Sequence, residues 1–254
     1  MFMSHRVRQF VSAGLMVASL IALGVLAAGA SDAAPTRSDT FGLEGASTAK
    51  VVVRMTAGQL NIASGSRANS GTPIASDELA RANFTYDDDR LAPTVDYRID
   101  ENHGTLTLTQ EGGELMEWPW AGHESNWTLY LNPEIPTEVR IEMGAGETIL
   151  ALGGLRVSDV QLDIGAGDTL IDLSGDWHDD ARIRVHGGAG NLNVRLPTEP
   201  GLFVRASLGA GDLDIDDLTR DGDSYINDAL GTSETTLTLE IAYGVGDVTI
   251  ENAG

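Results

Sequence analysis

From residue 49 onward apolar and polar residues alternate, and glycine corners break the alternation at intervals. Gly-x-Gly, a polar residue and a short alternating run recur from Gly144 (GAGETIL), Gly165 (GAGDTLI), Gly188 (GAGNLNV), Gly209 (GAGDLDI) and Gly244 (GVGDVTI). Successive copies start 21, 23, 21 and 35 residues apart. Apolar residues stand at every second position before each corner, as in Val139, Ile141 and Met143 or Val160, Leu162 and Ile164. The alternation resumes after it, as in Thr148 and Leu150 or Leu192 and Val194. An earlier copy fits: Val51, Val53 and Met55, then Thr56-Ala57-Gly58, then Leu60 and Ile62. A period of two is the mark of a strand with one buried face. Each copy therefore reads as strand, corner, strand, loop.

The glycines suit corners, because Gly reaches positive φ and lets neighbouring backbones approach. A nucleotide-binding glycine loop needs a helix after it, and here a strand follows each time. A fixed period in this range predicts one unit stacked on itself. The fold class is all-β, expected as a β-solenoid of stacked 21–23-residue rungs with Gly-x-Gly corners. An antiparallel sandwich is the rival, but its strands have individual neighbours and need not resemble one another. Gly104 reads as a further corner, residues 110–126 and 217–234 as insertions, and Val248–Glu251 as an open strand edge at the last rung. Copies of this chain could associate through that edge.

The N-terminus changes the picture of where the protein works. His5, Arg6 and Arg8 precede an uncharged run from Phe10 to Ala30 that ends in Ala28-Gly29-Ala30, a signal-peptidase pattern. The expected organisation is a signal peptide at 1–30, a polar linker at 31–48 and the repeat domain at 49–254. The run is also long enough to serve as an uncleaved anchor. Cleavage would leave no membrane span and release the chain to the periplasm, the cell surface or the medium.

The net charge is −22, which opposes binding to nucleic acid or an anionic membrane surface. There is no Cys, so disulfides, thiolate catalysis and Cys-ligated metals are excluded. An exported fold without disulfides fits a bacterial envelope better than a small eukaryotic secreted domain.

The stretch from Thr128 to Glu251 resembles the toast-rack domain family. The likeness rests on the serial GAG corners, on Val194-Arg195-Leu196-Pro197, and on Asp221-Gly222-Asp223-Ser224-Tyr225-Ile226-Asn227 before GVGDVTI. The resemblance implies a β-solenoid, an envelope setting and no enzyme activity. Related domains are described as adhesins, and others are modules of envelope-stress regulators. The regulators carry a multi-span membrane region that has no counterpart in this sequence.

Three groups of residues are candidates for contact with a ligand. Trp118, Trp120 and Trp127 lie in or just after the first insertion, where aromatics can stack on sugar rings or cover the flank of the stack. Arg140, Arg184 and Arg205 recur at one outward position and predict either cross-strand ion pairs or a basic stripe for an acidic polymer. Glu147, Asp168, Asn191, Asp212 and Asp247 follow the corners, where solvent screening or a bridging Ca²⁺ would relieve their repulsion. No catalytic residue, cofactor or metal site is assigned. His123-Glu124 fails the zinc motif at Trp127, and no Gly-x-Ser-x-Gly elbow exists.

The sequence reads best as an exported, non-enzymatic envelope β-solenoid, an adhesin or glycan-binding protein. The alternative is a soluble partner or sensor of an envelope-stress system, which requires an envelope protein partner. A polysaccharide-acting enzyme is the weaker alternative, by fold analogy alone.

Overall fold

Alternation from residue 49 becomes strand after strand in the computed structural model, which describes residues 35–67, 73–110 and 124–253. The expected signal peptide, Trp118 and Trp120 lie outside the described residues. The first six strands are β1 (Thr36–Gly42), β2 (Thr48–Ser64), β3 (Glu78–Tyr86), β4 (Pro93–Asp100), β5 (His103–Gln110) and β6 (Ser125–Leu131). The repeat region holds β7 (Thr137–Ala151), β8 (Val157–Ala166), β9 (Thr169–Asp172), β10 (Ala181–Ala189), β11 (Leu192–Leu196), β12 (Gly201–Ala210) and β13 (Leu213–Ile215). It ends with β14 (Thr219–Asp221), β15 (Ser224–Ile226), β16 (Thr236–Val245) and β17 (Val248–Asn252). There is no α-helix among the described residues, and all strands join one open 17-stranded sheet.

Equivalent positions of the copies pair in parallel. Before the corners the spatial order is β5, β2, β7, β8, β10, β16, β12. After them it is β6, β2, β7, β9, β11, β17, β13. Val53, Ile141, Leu162, Val185 and Ile241 fall in one register row and are buried. Ile62, Leu150, Ile171, Val194 and Ile250 form the matching row beyond the corner. Each such side chain contributes roughly 1.5–3 kcal/mol on burial. The corners leave no room for side chains: at Gly167, φ is 128° and an added Cβ would lie 1.8 Å from the Gly146 carbonyl oxygen.

The copies do not pair in chain order. The last one, β16 and β17, lies between the third and the fourth. Val248–Glu251 is therefore no open edge, because β17 is flanked by β11 and β13. Residues 217–234 supply the crossover, and their hairpin of β14 and β15 pairs antiparallel with the outer side of β12 at Phe203 and Val204.

The N-terminal end is closed by antiparallel strands: β4 on β5, β3 on β6 and β1 on β3. The stretch expected as a polar linker thus contains a strand, since Thr36–Gly42 alternates against β3 with Phe41 buried. Gly104 is no corner. It lies within β5 opposite Ala49, beneath the Tyr97 hydroxyl, which would be 3.1 Å from an added Cβ. The corner of that copy is replaced by the first insertion, since β5 and β6 pair with the two halves of β2.

Candidate binding groove

The outward positions before the corners carry a connected set of charges. Lys50 bonds Glu138 at 3.2 Å, and Arg54 bonds Glu142 at 3.2 Å. Arg140 reaches the other Glu142 oxygen at 3.0 Å and the Gln161 carbonyl oxygen at 3.0 Å. Arg184 holds Asp159 at 2.8 and 2.6 Å, and His186 Nδ1 lies 3.2 Å from Asp163. The Arg140 hydrogen bond keeps the Glu142 carboxyl below the usual carboxylate range; burial opposes it, and the charges of Arg54 and Arg140 add to the lowering.

Arg140, Arg184 and Arg205 share the expected row but do not form a basic stripe. Gln161 stands between the first two, and Glu240 between the last two. The fifth copy inserts the acidic residue, so the three arginines are separated by a neutral and an acidic side chain and form no continuous track for a polyanion. The Arg205 guanidinium lies 5.6 Å from the centre of the Phe203 ring.

Trp127 is not a ligand platform. It is 1% exposed and packs edge-to-face on Phe84 with ring centres 5.5 Å apart. Its place in β6 points it inward by the same alternation that buries Leu129 and Leu131. A ring without a free face cannot stack on a sugar.

The acidic row after the corners is explained by the backbone. The Asn191 amide donates to Asp168 Oδ1 at 3.3 Å, Asp247 to Asn191 Oδ1 at 3.4 Å, and Asp212 to Asp247 Oδ1 at 3.2 Å. The Asp168, Asn191 and Asp247 side chains thus each accept the amide of the next strand, while Glu147 accepts from Gln59 Nε2 at 3.0 Å. Among the described residues no cluster of three or more His, Asp or Glu is arranged for a metal.

Beside the corners the outward face opens into a groove of about 660 Å³. Arg54, Glu142, Asp163 and His186 line it, one from each of four neighbouring strands, with Gly144, Gly165 and Gly188 along its length. Gln110 closes one end, its Oε1 accepting the amides of Thr56 at 2.8 Å and Ala57 at 2.9 Å. Gln110 is 4% exposed, and its Nε2 donor has no partner among the described residues. Sequence reasoning passed over it. The signal was there: after Leu106 and Leu108, residue 110 is a polar side chain at a buried position of the alternation.

Serial GAG corners in parallel register agree with what the sequence matches. Residues 30–195 match the family model described as the N-terminal domain of toast_rack, DUF2154. The chain belongs to the toast-rack family. No curated protein matches it in sequence. The solved structure of a "putative cell adhesion protein" from Clostridium sporogenes ATCC 15579 superposes with a TM-score of 0.77 at 23% identity, over 86% of this chain and 99% of that one. That likeness establishes a shared toast-rack fold. Two "putative adhesin" structures match at TM-scores too low to carry an argument. The one from Parabacteroides merdae ATCC 43184 scores 0.26 at 10% identity over 86% of this chain and 96% of its own. The one from Bacteroides fragilis NCTC 9343 scores 0.29 at 8% identity over 88% of this chain and 100% of its own. No helix among the described residues is long and apolar enough to cross a membrane.

Proposed function

We propose that the protein is an exported, non-enzymatic toast-rack module that adheres to cell-envelope polysaccharide through the charged groove, on a scaffold that is a single β-solenoid. Parallel pairing of equivalent positions, copy against copy, supports the solenoid. The groove carries the functional reading. It runs across strands spaced about 4.8 Å apart, so it offers repeating contacts to a linear polymer. Guanidinium and carboxylate groups placed side by side can exchange hydrogen bonds with sugar hydroxyls, and glycines let a ring approach the backbone. The C. sporogenes structure of the same fold is described as a "putative cell adhesion protein", which points the same way. Glu142 supports binding rather than hydrolysis, because a general acid needs a raised pKa and the neighbouring arginines lower this one.

The test is co-sedimentation of the purified chain with isolated envelopes and with purified cell-wall polysaccharide. We expect retention on the polysaccharide and its loss in an Arg54→Ala/His186→Ala variant. A Trp118→Ala/Trp120→Ala variant separates the groove from the first insertion. Retention on whole envelopes alone would move the case to a protein partner, and retention on neither would end the adhesin reading.

A further inference from the structure

The two ends of the stack are finished differently. At the N-terminal end β4, β3 and β1 cover the outer strands. At the other end the β15 strand pairs with Phe203 and Val204 only. Beyond them, among the described residues, β12 and the whole of β13 have a neighbour on one side alone.

Three ladders run up to this edge and stop. Val248 donates to the Asp212 carbonyl and Asp216 to the Ile250 carbonyl, both at 2.9 Å. In a parallel pair alternate residues bond to one side, so the backbone groups of Leu213 and Ile215 face away from β17. At the corner Gly190 donates to Val245 and Gly246 to Ala210, each at 3.0 Å, and the next donor in that series is Gly211. In the side-chain ladder Asp212 is the last acceptor, positioned for the amide of a strand that would follow. The apolar rows end here too: Leu213 is 38% exposed, and Ala206, Leu208 and Ile215 are only partly buried.

We infer that this end of the stack is a docking edge for an extended segment of a partner protein in which apolar residues alternate with Lys or Arg. The apolar residues continue the rows of Leu208, Leu213 and Ile215. The cations face Asp212 and Asp214, with Asp216 and Asp217 just beyond. A second copy of the edge would bring the same aspartates against themselves, and like charges on adjoining strands repel. Charge thus selects a basic strand over self-association. This inference is independent of the groove.

The probe is a capped peptide of about eight residues alternating Val and Lys. Controls are a Val/Glu peptide, a block peptide with the same Val and Lys content, and a Val/Lys peptide N-methylated at every second residue. We expect salt-sensitive binding of the Val/Lys peptide alone, with slowed amide exchange at Gly211, Leu213 and Ile215. Leu213→Pro removes one outward donor without touching the β17 ladder and should weaken binding about tenfold. Equal binding by the block or N-methylated peptide would show mere attraction to an acidic protein and overturn the inference. So would no binding, or sedimentation of the free chain as a dimer that Leu213→Pro dissolves. The N-methylated control decides the question even where a protein variant misfolds.

Discussion

Tyr243 lies opposite Gly187 in register, and its ring occupies the space that a side chain at 187 would need: an added Cβ would come within 1.9 Å of it. Met143, Ile164 and Leu208 hold the equivalent inward position in the other GAG copies. The third copy has a vacancy there and the fifth carries the excess volume. The two fit as neighbours, which is how the last copy comes to sit beside the third.

Gly187→Val should therefore lose roughly 1–3 kcal/mol by overpacking. Tyr243→Ala should lose a similar or larger amount, roughly 3–5 kcal/mol, by opening a cavity. The double variant should lose clearly less than the sum. Urea unfolding of the single and double variants measures this, and simple additivity would mean the two sites do not share the space.

Corner glycines should differ sharply from loop glycines. Gly167→Ala meets both an unfavourable φ and the Gly146 carbonyl, and is expected to destabilise by roughly 3 kcal/mol. Gly222→Asn, at φ 60° with open space around it, should change stability by less than about 1 kcal/mol. Thermal midpoints of the two variants give the comparison.

Alkaline stability should depend on Tyr97. Its hydroxyl donates to the Gly42 carbonyl at 2.7 Å, and burial, with Glu44 nearby, pushes its pKa from 10.0 up to about 12. Unfolded chain loses this proton first, so the stabilisation is present below pH 10.0 and is lost as pH rises towards about 12. Denaturant unfolding across that window should show a falling slope that Tyr97→Phe reduces. An unchanged slope in the variant would assign the alkaline transition to other groups.

Acid stability should carry a mark of Glu142. Its carboxyl is held down first by the Arg140 hydrogen bond, with Arg54 assisting. The stabilisation is present above the unfolded value of 4.5 and lost as pH falls through the lower folded value. Glu142→Gln should flatten the stability profile in that range. Because the side chain is 38% exposed, the change should shrink with added salt. Stability profiles at low and high ionic strength check both statements.

Much of this architecture is local and was legible along the chain. Alternation at Val139, Ile141 and Met143 needs only the pleat of a strand, and Gly146 or Gly167 announces a corner because φ is a property of one residue. Strand positions and the buried rows followed from those two facts. The groove was less legible. Arg54, Glu142, Asp163 and His186 join one surface only through parallel pairing, and Gln110 stood unnoticed at the end of a strand. Trp127 was misplaced because nearness to a loop outweighed the inward phase it shares with Leu129.

The sequence by itself determined the repeating unit, its two faces and its glycine corners, since backbone sterics and side-chain alternation act within a few residues. The tertiary structure decided the order in which copies pair and which strands lie at the edge among the described residues. Near-identical units offer each other the same ladder hydrogen bonds, so pairing energy alone barely separates one neighbour from another. That choice is made by long-range fit: a ring at Tyr243 against no side chain at Gly187, and a crossover at residues 217–234 long enough to carry the last strands into the gap.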